Sequence, residues 1–306
     1  MHLRGTCVLL AIAALFGALL AQQRSTPTEG SAARLSPRSF NGTKGVSHPT
    51  AKELTRDQME HFLETARIVG EKPVGTGITK TRRLTLTDGR WIHDAHVQAI
   101  DVFKPEFRVN NVIEKNFRDC WKFNVAAYRL DKLMNWGYIP ATVERVVDGK
   151  PSSVTWWVDN VQFDEAGRRA KNAAPPDLNV WSNQLNDIRD FDALIWNEDR
   201  NQGNVLIDSD WKVWAIDHTR AFRDYTTLRD PSILHRISAG LLNGIKNLSR
   251  SELEGALMPY VTEQDIDTML VRRDVLVKLF ANRIREKGVD TVVTDLPRVT
   301  PKVTIQ

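Results

Sequence analysis

The chain has 306 residues, 42% apolar and 26% charged, with a formal charge of +4 and a pI near 9.1. This is ordinary globular usage, so disorder throughout is excluded. Without a dense Lys/Arg run beside the mild positive charge, nucleic acid is not expected as a partner. Only Cys7 and Cys120 are present, which excludes a structural zinc set and a disulfide framework.

Residues 1–21 open with a basic Arg4, continue as the apolar run from Cys7 to Ala21 and give way to "QQR". That order reads as a signal peptide. The run is shorter than the about 20 residues a membrane span needs. An exported chain, periplasmic or secreted, is expected, with membrane contact only through an uncleaved N-terminal segment. Once the segment is removed Cys120 stands alone. Residues 22–50 are rich in Ser, Thr, Pro and Gly with no apolar period, and read as a flexible linker.

Folded structure is expected from residue 51. In "TAKELTRDQMEHFLETARIV" (50–69), Leu54, Met59, Phe62, Leu63 and Ala66 recur at helical spacing. Leu84 and Leu86 then alternate with Thr85 and Thr87 ahead of Asp88-Gly89, a hairpin turn. "AHVQAIDVFK" (95–104) reads as the next strand, with Val97 and Ala99 on one face and Ile100, Val102 and Lys104 on the other. "FRDCWKFNVAAYRLDKLMNWG" (117–137) reads as a helix with an apolar stripe and a stop at Gly137. Two strands flank Asp148-Gly149. Residues 51–159 thus form a strand-rich unit with a leading helix.

After "AAPPD" (173–177) the pattern changes. "NVWSNQLNDIRDFDALIW" (179–196) is amphipathic, a strand-turn-strand segment follows, and helices are expected over 249–257 and 262–288. Residues 160–290 are therefore mostly helical, and 291–306 form a tail without an assignment. His93 and His96 fall on opposite faces of a strand start, which argues against a metal pair. No G-x-S-x-G elbow exists, so a serine hydrolase is not supported.

The chemistry concentrates in "NEDRNQGNVLIDSDWKVWAIDHTRAF" (197–222). Asp and Asn favour turns, because their side chains bond nearby backbone. The alternative is metal and phosphate binding. Phosphoryl transfer requires a carboxylate to orient the acceptor, and an Asn and an Asp to hold magnesium. Asp199 and Asn204 have the D-x-x-x-x-N spacing. The segment that follows delivers Asp217. The linked spacing favours the metal reading over three separate turns.

"FDALIWNEDRNQGNVLI" followed by "WAIDHTRAF" resembles the atypical protein-kinase-like superfamily, which includes the phosphatidylinositol 3- and 4-kinases, the HipA-like kinases and the secretory-pathway kinases. Asn197-Glu198 stands where ordinary kinases have His-Arg, and Asn201 where this family often has His. The resemblance covers about residues 70–225. It implies a two-lobed α+β fold, with a strand-rich N-lobe over 51–159 and a mostly helical C-lobe over 160–290. It also implies ATP with Mg²⁺ or Mn²⁺ as cofactors. Asp199 would be catalytic, and Asn204 and Asp217 metal ligands. Lys104 would be the strand lysine on the nucleotide phosphates, Gly75 and Gly77 the phosphate-covering turn, and Val158 part of the hinge that receives adenine. The helix acid that partners the lysine is replaced by Asn124, with Glu114 and Asp119 as nearby substitutes. His218 and Arg220 would stand behind the metal ligands or pack between lobes.

The expected function is transfer of the ATP γ-phosphoryl group to a hydroxyl acceptor on protein Ser/Thr, a lipid or a sugar. Two alternatives stay open: an exported pseudokinase that binds a nucleotide or a protein, and an AMP transferase.

Overall fold

The computed structural model describes residues 54–74, 81–109 and 112–296. The expected signal peptide and linker, Gly75 and Gly77, and residues 297–306 lie outside them.

Helix α1 (Arg56–Thr65) begins at a capping box. The Thr55 hydroxyl accepts the Gln58 N–H, and the Gln58 side chain accepts the Thr55 N–H. Helical spacing runs on to residue 69 in the sequence, yet the helix stops at Thr65. The β-branched Ile68 and Val69 belong instead to β1 (Arg67–Pro73), paired antiparallel with β2 (Arg82–Thr87). Side chains of this kind fit a pleated ladder better than a fraying helix end.

β2 turns at Asp88-Gly89 into β3 (Ile92–Gln98), with Gly89 at φ +88°. The expected strand over 95–104 is broken at Ala99–Ile100. β4 (Asp101–Val109) and β5 (Val112–Cys120) leave the sheet as a separate antiparallel hairpin. The break has a hydrogen-bond reason. Ile100 C=O accepts the Trp121 N–H at 2.7 Å, and the Cys120 N–H donates to Thr219 C=O at 2.8 Å. The chain is therefore bound at the base of the hairpin rather than along the sheet. For the same reason the helix expected from 117 begins only at α2 (Lys122–Met134).

α2 ends at Asn135, in the left-handed region at φ 51°. Buried Asp131 accepts the N–H groups of Gly137, Tyr138 and Ile139 at 2.7–2.9 Å, and Arg56 Nη2 at 2.7 Å. One carboxylate thus folds the chain back from α2 into β6 (Thr142–Val147) and β7 (Lys150–Trp156). These complete a five-stranded antiparallel sheet in the order β1-β2-β3-β7-β6. Its core face carries Leu84, Leu86, Ala95, Val97 and Val154, each buried.

The remaining chain is mainly helical. β8 (Val161–Asp164) leads to α3 (Glu165–Ala170) and α4 (Leu178–Ile195), whose Trp181, Ile188, Phe191, Leu194 and Ile195 enter the core. β9 (Val205–Asp208) pairs with β8 and with β10 (Val213–Ala215). A short strand β11 (Ile237–Ser238), α5 (Ala239–Asn247), α6 (Arg250–Leu257) and α7 (Glu263–Lys287) follow. α7 starts at the Thr262 cap and stops at Gly288 (φ +84°), as its sequence signals. The start of the tail, unassigned from sequence, forms α8 (Val289–Val292) and β12 (Val293–Thr294), which pairs parallel with β11. Among the described residues no helix is long and apolar enough to cross a membrane. Cys120 is buried and unbonded.

One buried group sets a pH dependence of folding. Asp190 on α4 is fully buried and neither carboxyl oxygen has a partner among the described residues. Burial, reinforced by neighbouring Asp187, raises its pKa well above the usual carboxylate value. Its proton is held in the folded state and released in the unfolded one, so stability is present below the unfolded-state pKa of about 4 and falls as pH rises towards the folded value. Asp190→Asn is expected to stabilise the protein at neutral pH by about 1–3 kcal/mol. Chemical denaturation of both proteins between pH 4 and 8 checks this. The expected result is a gap that widens with pH, and equal pH slopes would contradict it.

Candidate functional site

The 197–204 loop is built from its own polar side chains. Asn197 Nδ2 donates to Asp192 on α4, and Asn197 Oδ1 accepts the Asp199 N–H at 3.2 Å. Asn201 Oδ1 accepts the Gly203 N–H at 2.9 Å, and Asn204 Nδ2 donates to the Asp199 carbonyl at 2.8 Å. Turn chemistry and site chemistry are therefore the same bonds. By using its N–H₂ on Asp199, Asn204 keeps its carbonyl oxygen free of protein donors among the described residues. Asp217 follows β10 with φ at 55°, a left-handed conformation that Asp tolerates better than most residues. Its Oδ1 accepts from the Thr219 hydroxyl at 3.0 Å.

Arg200 ties these pieces together. Its guanidinium forks onto Asp192 at 2.9 and 3.0 Å, and donates to the carbonyls of Asn204 (2.8 Å) and Ile216 (2.6 Å). It also meets His218 Nε2 at 2.7 Å. His218 is buried, and burial followed by the Arg200 charge lowers its pKa well below the ordinary value. It is neutral, and Nε2 accepts from the arginine.

Asn204, Asp217 and His218 line a cleft of about 330 Å³. Trp157 and Val158, in the connection that follows β7, line it too. Trp157 carries the Arg83 guanidinium 4.0 Å from its ring centroid. Val158 lines the cleft, and no protein group bonds its N–H or C=O among the described residues. Leu206 and Ile216 line it from the β9–β10 side, His96 and Gln98 from β3, Thr155 from β7 and Asn124 from α2.

Of the residues singled out from the sequence, Asp199 is joined to Asn204 through its carbonyl, and Asn204, Asp217, Val158, Asn124 and His218 line one cleft. Gly75 and Gly77 lie outside the described residues. Lys104 does not reach the cleft. It stands on β4, exposed, with its ammonium 4.6 Å from the Phe107 ring centroid. The strand position facing Asn124 belongs to Gln98, whose Oε1 accepts from Asn124 Nδ2 at 2.8 Å. A neutral amide pair occupies the place expected for an ion pair. The face alternation that puts Val97 in the core also puts Gln98 opposite. Only the strand's end at residue 98 was invisible to pattern reading. Of the two histidines, His93 stacks on Trp156 and bonds Asp159, while His96 faces the cleft.

Glu114 is not a partner of Lys104 either. From β5 it meets Arg220 at 2.7 Å and Arg223 at 2.8 Å, and both arginines also approach Glu198 at 3.4–3.5 Å. Burial raises the Glu198 pKa, helped by a hydrogen bond with Glu114. The hairpin is thus clamped onto the segment that follows Asp217. Asp119, at the end of β5, has a carboxyl pKa raised by burial and by the nearby Asp217 and Asp199 carboxylates. Its buried Oδ1 has no partner.

The donor set suits a divalent cation carried by a phosphorylated ligand. Among the described residues no three His, Cys, Asp or Glu side chains form a closed cage. An Asn carbonyl with one or two carboxylates is the usual protein share of a Mg²⁺ site whose remaining ligands are phosphates and water. The neighbouring carboxylates of Asp119, Asp199 and Asp217, and the Asp119 Oδ1 without a partner among the described residues, fit a cation here.

No family model matches the sequence, and no curated protein is similar to it. Its structure is similar to solved kinases. The Golgi casein kinase is 15% identical, with a TM-score of 0.56 over 78% of this chain and 78% of that one. The same kinase with Mn/ADP bound gives 0.58 over the same shares. A hydra Fam20 protein solved with sugar is 14% identical and gives 0.59 over 78% of this chain and 91% of that one. The chain has the two-lobed, atypical protein-kinase-like α+β fold.

Proposed function

We propose that the chain is an atypical kinase that transfers the γ-phosphoryl group of ATP to a hydroxyl acceptor. The observation that carries this is the joining of Asp199, Asn204 and the Asp217 segment by one loop network, with Asn204 and Asp217 lining the same cleft as Val158. The unbonded N–H and C=O of Val158 fit the edge of adenine, with Leu206 and Ile216 against the base. Asn204 Oδ1 and the Asp217 carboxylate would hold Mg²⁺ or Mn²⁺. When bound, the metal neutralises charge on the transferring phosphoryl group. Asp199 orients the acceptor hydroxyl and receives its proton. Arg200 fixes the backbone of both metal-binding positions, so catalysis rests on positioning. The acceptor is a hydroxyl on protein Ser/Thr, a lipid or a sugar. Export of the chain is supported by its N-terminal segment and by the Golgi location in the name of one structural relative.

A second reading, a pseudokinase that binds a nucleotide without transfer, is favoured by the neutral Gln98–Asn124 pair. The first test is thermal melting of the full chain with ATP and Mn²⁺. A ligand at 100-fold its dissociation constant adds about 2.7 kcal/mol to stability. A metal-dependent shift is expected in the wild type and none in Asp217→Ala. No shift in a folded wild type would contradict both readings. Transfer assays then separate them, and release of ADP rather than pyrophosphate distinguishes γ-phosphoryl from AMP transfer.

A further inference from the structure

Among the described residues, no Lys or Arg lines the cleft where the phosphates of a nucleotide would lie. The sheet presents Gln98, which is 3% exposed, ends β3 and lines the cleft. Gln98 Nε2 is buried without a partner among the described residues. Its orientation is fixed by a chain of bonds that starts at the backbone. The His218 N–H can only donate, and it donates to Asn124 Oδ1 at 2.7 Å. Asn124 must then turn its N–H₂ towards Gln98 (2.8 Å) and the Ser153 hydroxyl (3.2 Å). Gln98 must answer with its carbonyl oxygen, which leaves its own N–H₂ as the free end. The chain of bonds begins one residue after Asp217, so this free donor is tied to the segment that carries a proposed metal ligand.

We infer that Gln98 Nε2 is the strand's phosphate ligand, an uncharged donor to a phosphate oxygen of a nucleoside di- or triphosphate, held in place by Asn124. This rests on the nucleotide reading of the cleft. The pair explains why Asn occupies the α2 position. A carboxylate there could accept the His218 N–H but could not donate to Gln98. Asn124 is a positioning residue. It bonds Gln98, Ser153 and the backbone next to Asp217, and through Gln98 it couples phosphate occupancy to the Asp217 segment.

The test is calorimetric titration of the full chain with Mn²⁺·ADP and, separately, with adenosine. Gln98→Glu keeps the oxygen that Asn124 needs and replaces the donor by an anion. Its Kd for Mn²⁺·ADP is expected to rise about tenfold or more, with the adenosine Kd unchanged. Gln98→Met removes the donor, and with it the oxygen that Asn124 uses, without adding charge. It is expected to show a smaller, equally ADP-selective loss, and it decides the matter if Gln98→Glu does not fold. Equal weakening of ADP and adenosine, or an unchanged ADP affinity, would overturn the assignment while leaving the nucleotide reading intact. A folded wild type that binds neither ligand would overturn that reading and the assignment with it.

Discussion

Asp199→Asn is expected to lower phosphoryl transfer by about 10²–10⁴-fold, the usual contribution of a positioned general base, with little change in affinity for Mn²⁺·ADP. The substitution is conservative for the loop. The Asp199 carbonyl that anchors Asn204 and the N–H that donates to Asn197 are backbone groups and survive. An Asn side chain still offers an oxygen to Asn201 Nδ2, which lies 3.3 Å from the carboxylate. What disappears is the negative charge that accepts a proton. The neighbouring Glu198 is poorly placed to substitute for it, being engaged by Arg220, Arg223 and Glu114. Steady-state transfer rates beside nucleotide titrations check this. A turnover within threefold of wild type (about 0.7 kcal/mol in the barrier) would remove Asp199 from the chemistry. Loss of nucleotide binding together with turnover would show that the loop had collapsed instead.

The parts of the site that were legible in the sequence are those set by local spacing. Asp199, Asn204 and Asp217 lie on one loop and one hairpin, so their separation along the chain decides their separation in space. The strand lysine was not legible. The apolar residues from Ala95 to Val102 continue through the point where β3 ends, and nothing in that run announces that the next strand leaves the sheet. What ends β3 are long-range bonds, Cys120 to Thr219 and Arg118 to Phe222 and Asp265, about a hundred residues or more away. Lys104 consequently falls on an exposed hairpin and Gln98 on the cleft. The helix at 50–69 was overextended for a similar reason, since the β2 ladder competes for Arg67 and Ile68 and a single-chain pattern does not register that competition. Helices with strong caps, α6 at Ser249 and α7 at Thr262, sit where their residues place them, because a cap acts within one turn.

Arg200→Ala is expected to cost about 3–5 kcal/mol of stability, the range for breaking a largely buried charge pair. The side chain of Arg200 is 13% exposed and that of Asp192 is 9% exposed, so water is poorly placed to replace the arginine. Truncation strands the Asp192 carboxylate, the carbonyls of Asn204 and Ile216, and His218 Nε2 at once. Arg200→Lys should recover part of the loss. An ammonium can meet one of these acceptors but cannot fork onto a carboxylate while reaching two carbonyls. The functional consequence follows from which carbonyls are held. They belong to Asn204 itself and to Ile216, the residue before Asp217, so the same guanidinium sets the spacing between the two proposed metal ligands. Nucleotide affinity in Mn²⁺ should therefore fall in Arg200→Lys even at temperatures where that protein is fully folded, while adenosine affinity holds. Denaturant titration gives the first quantity and calorimetry the second. A destabilisation below about 1 kcal/mol, the level of an exposed ion pair, would show that the network is not what holds the loop.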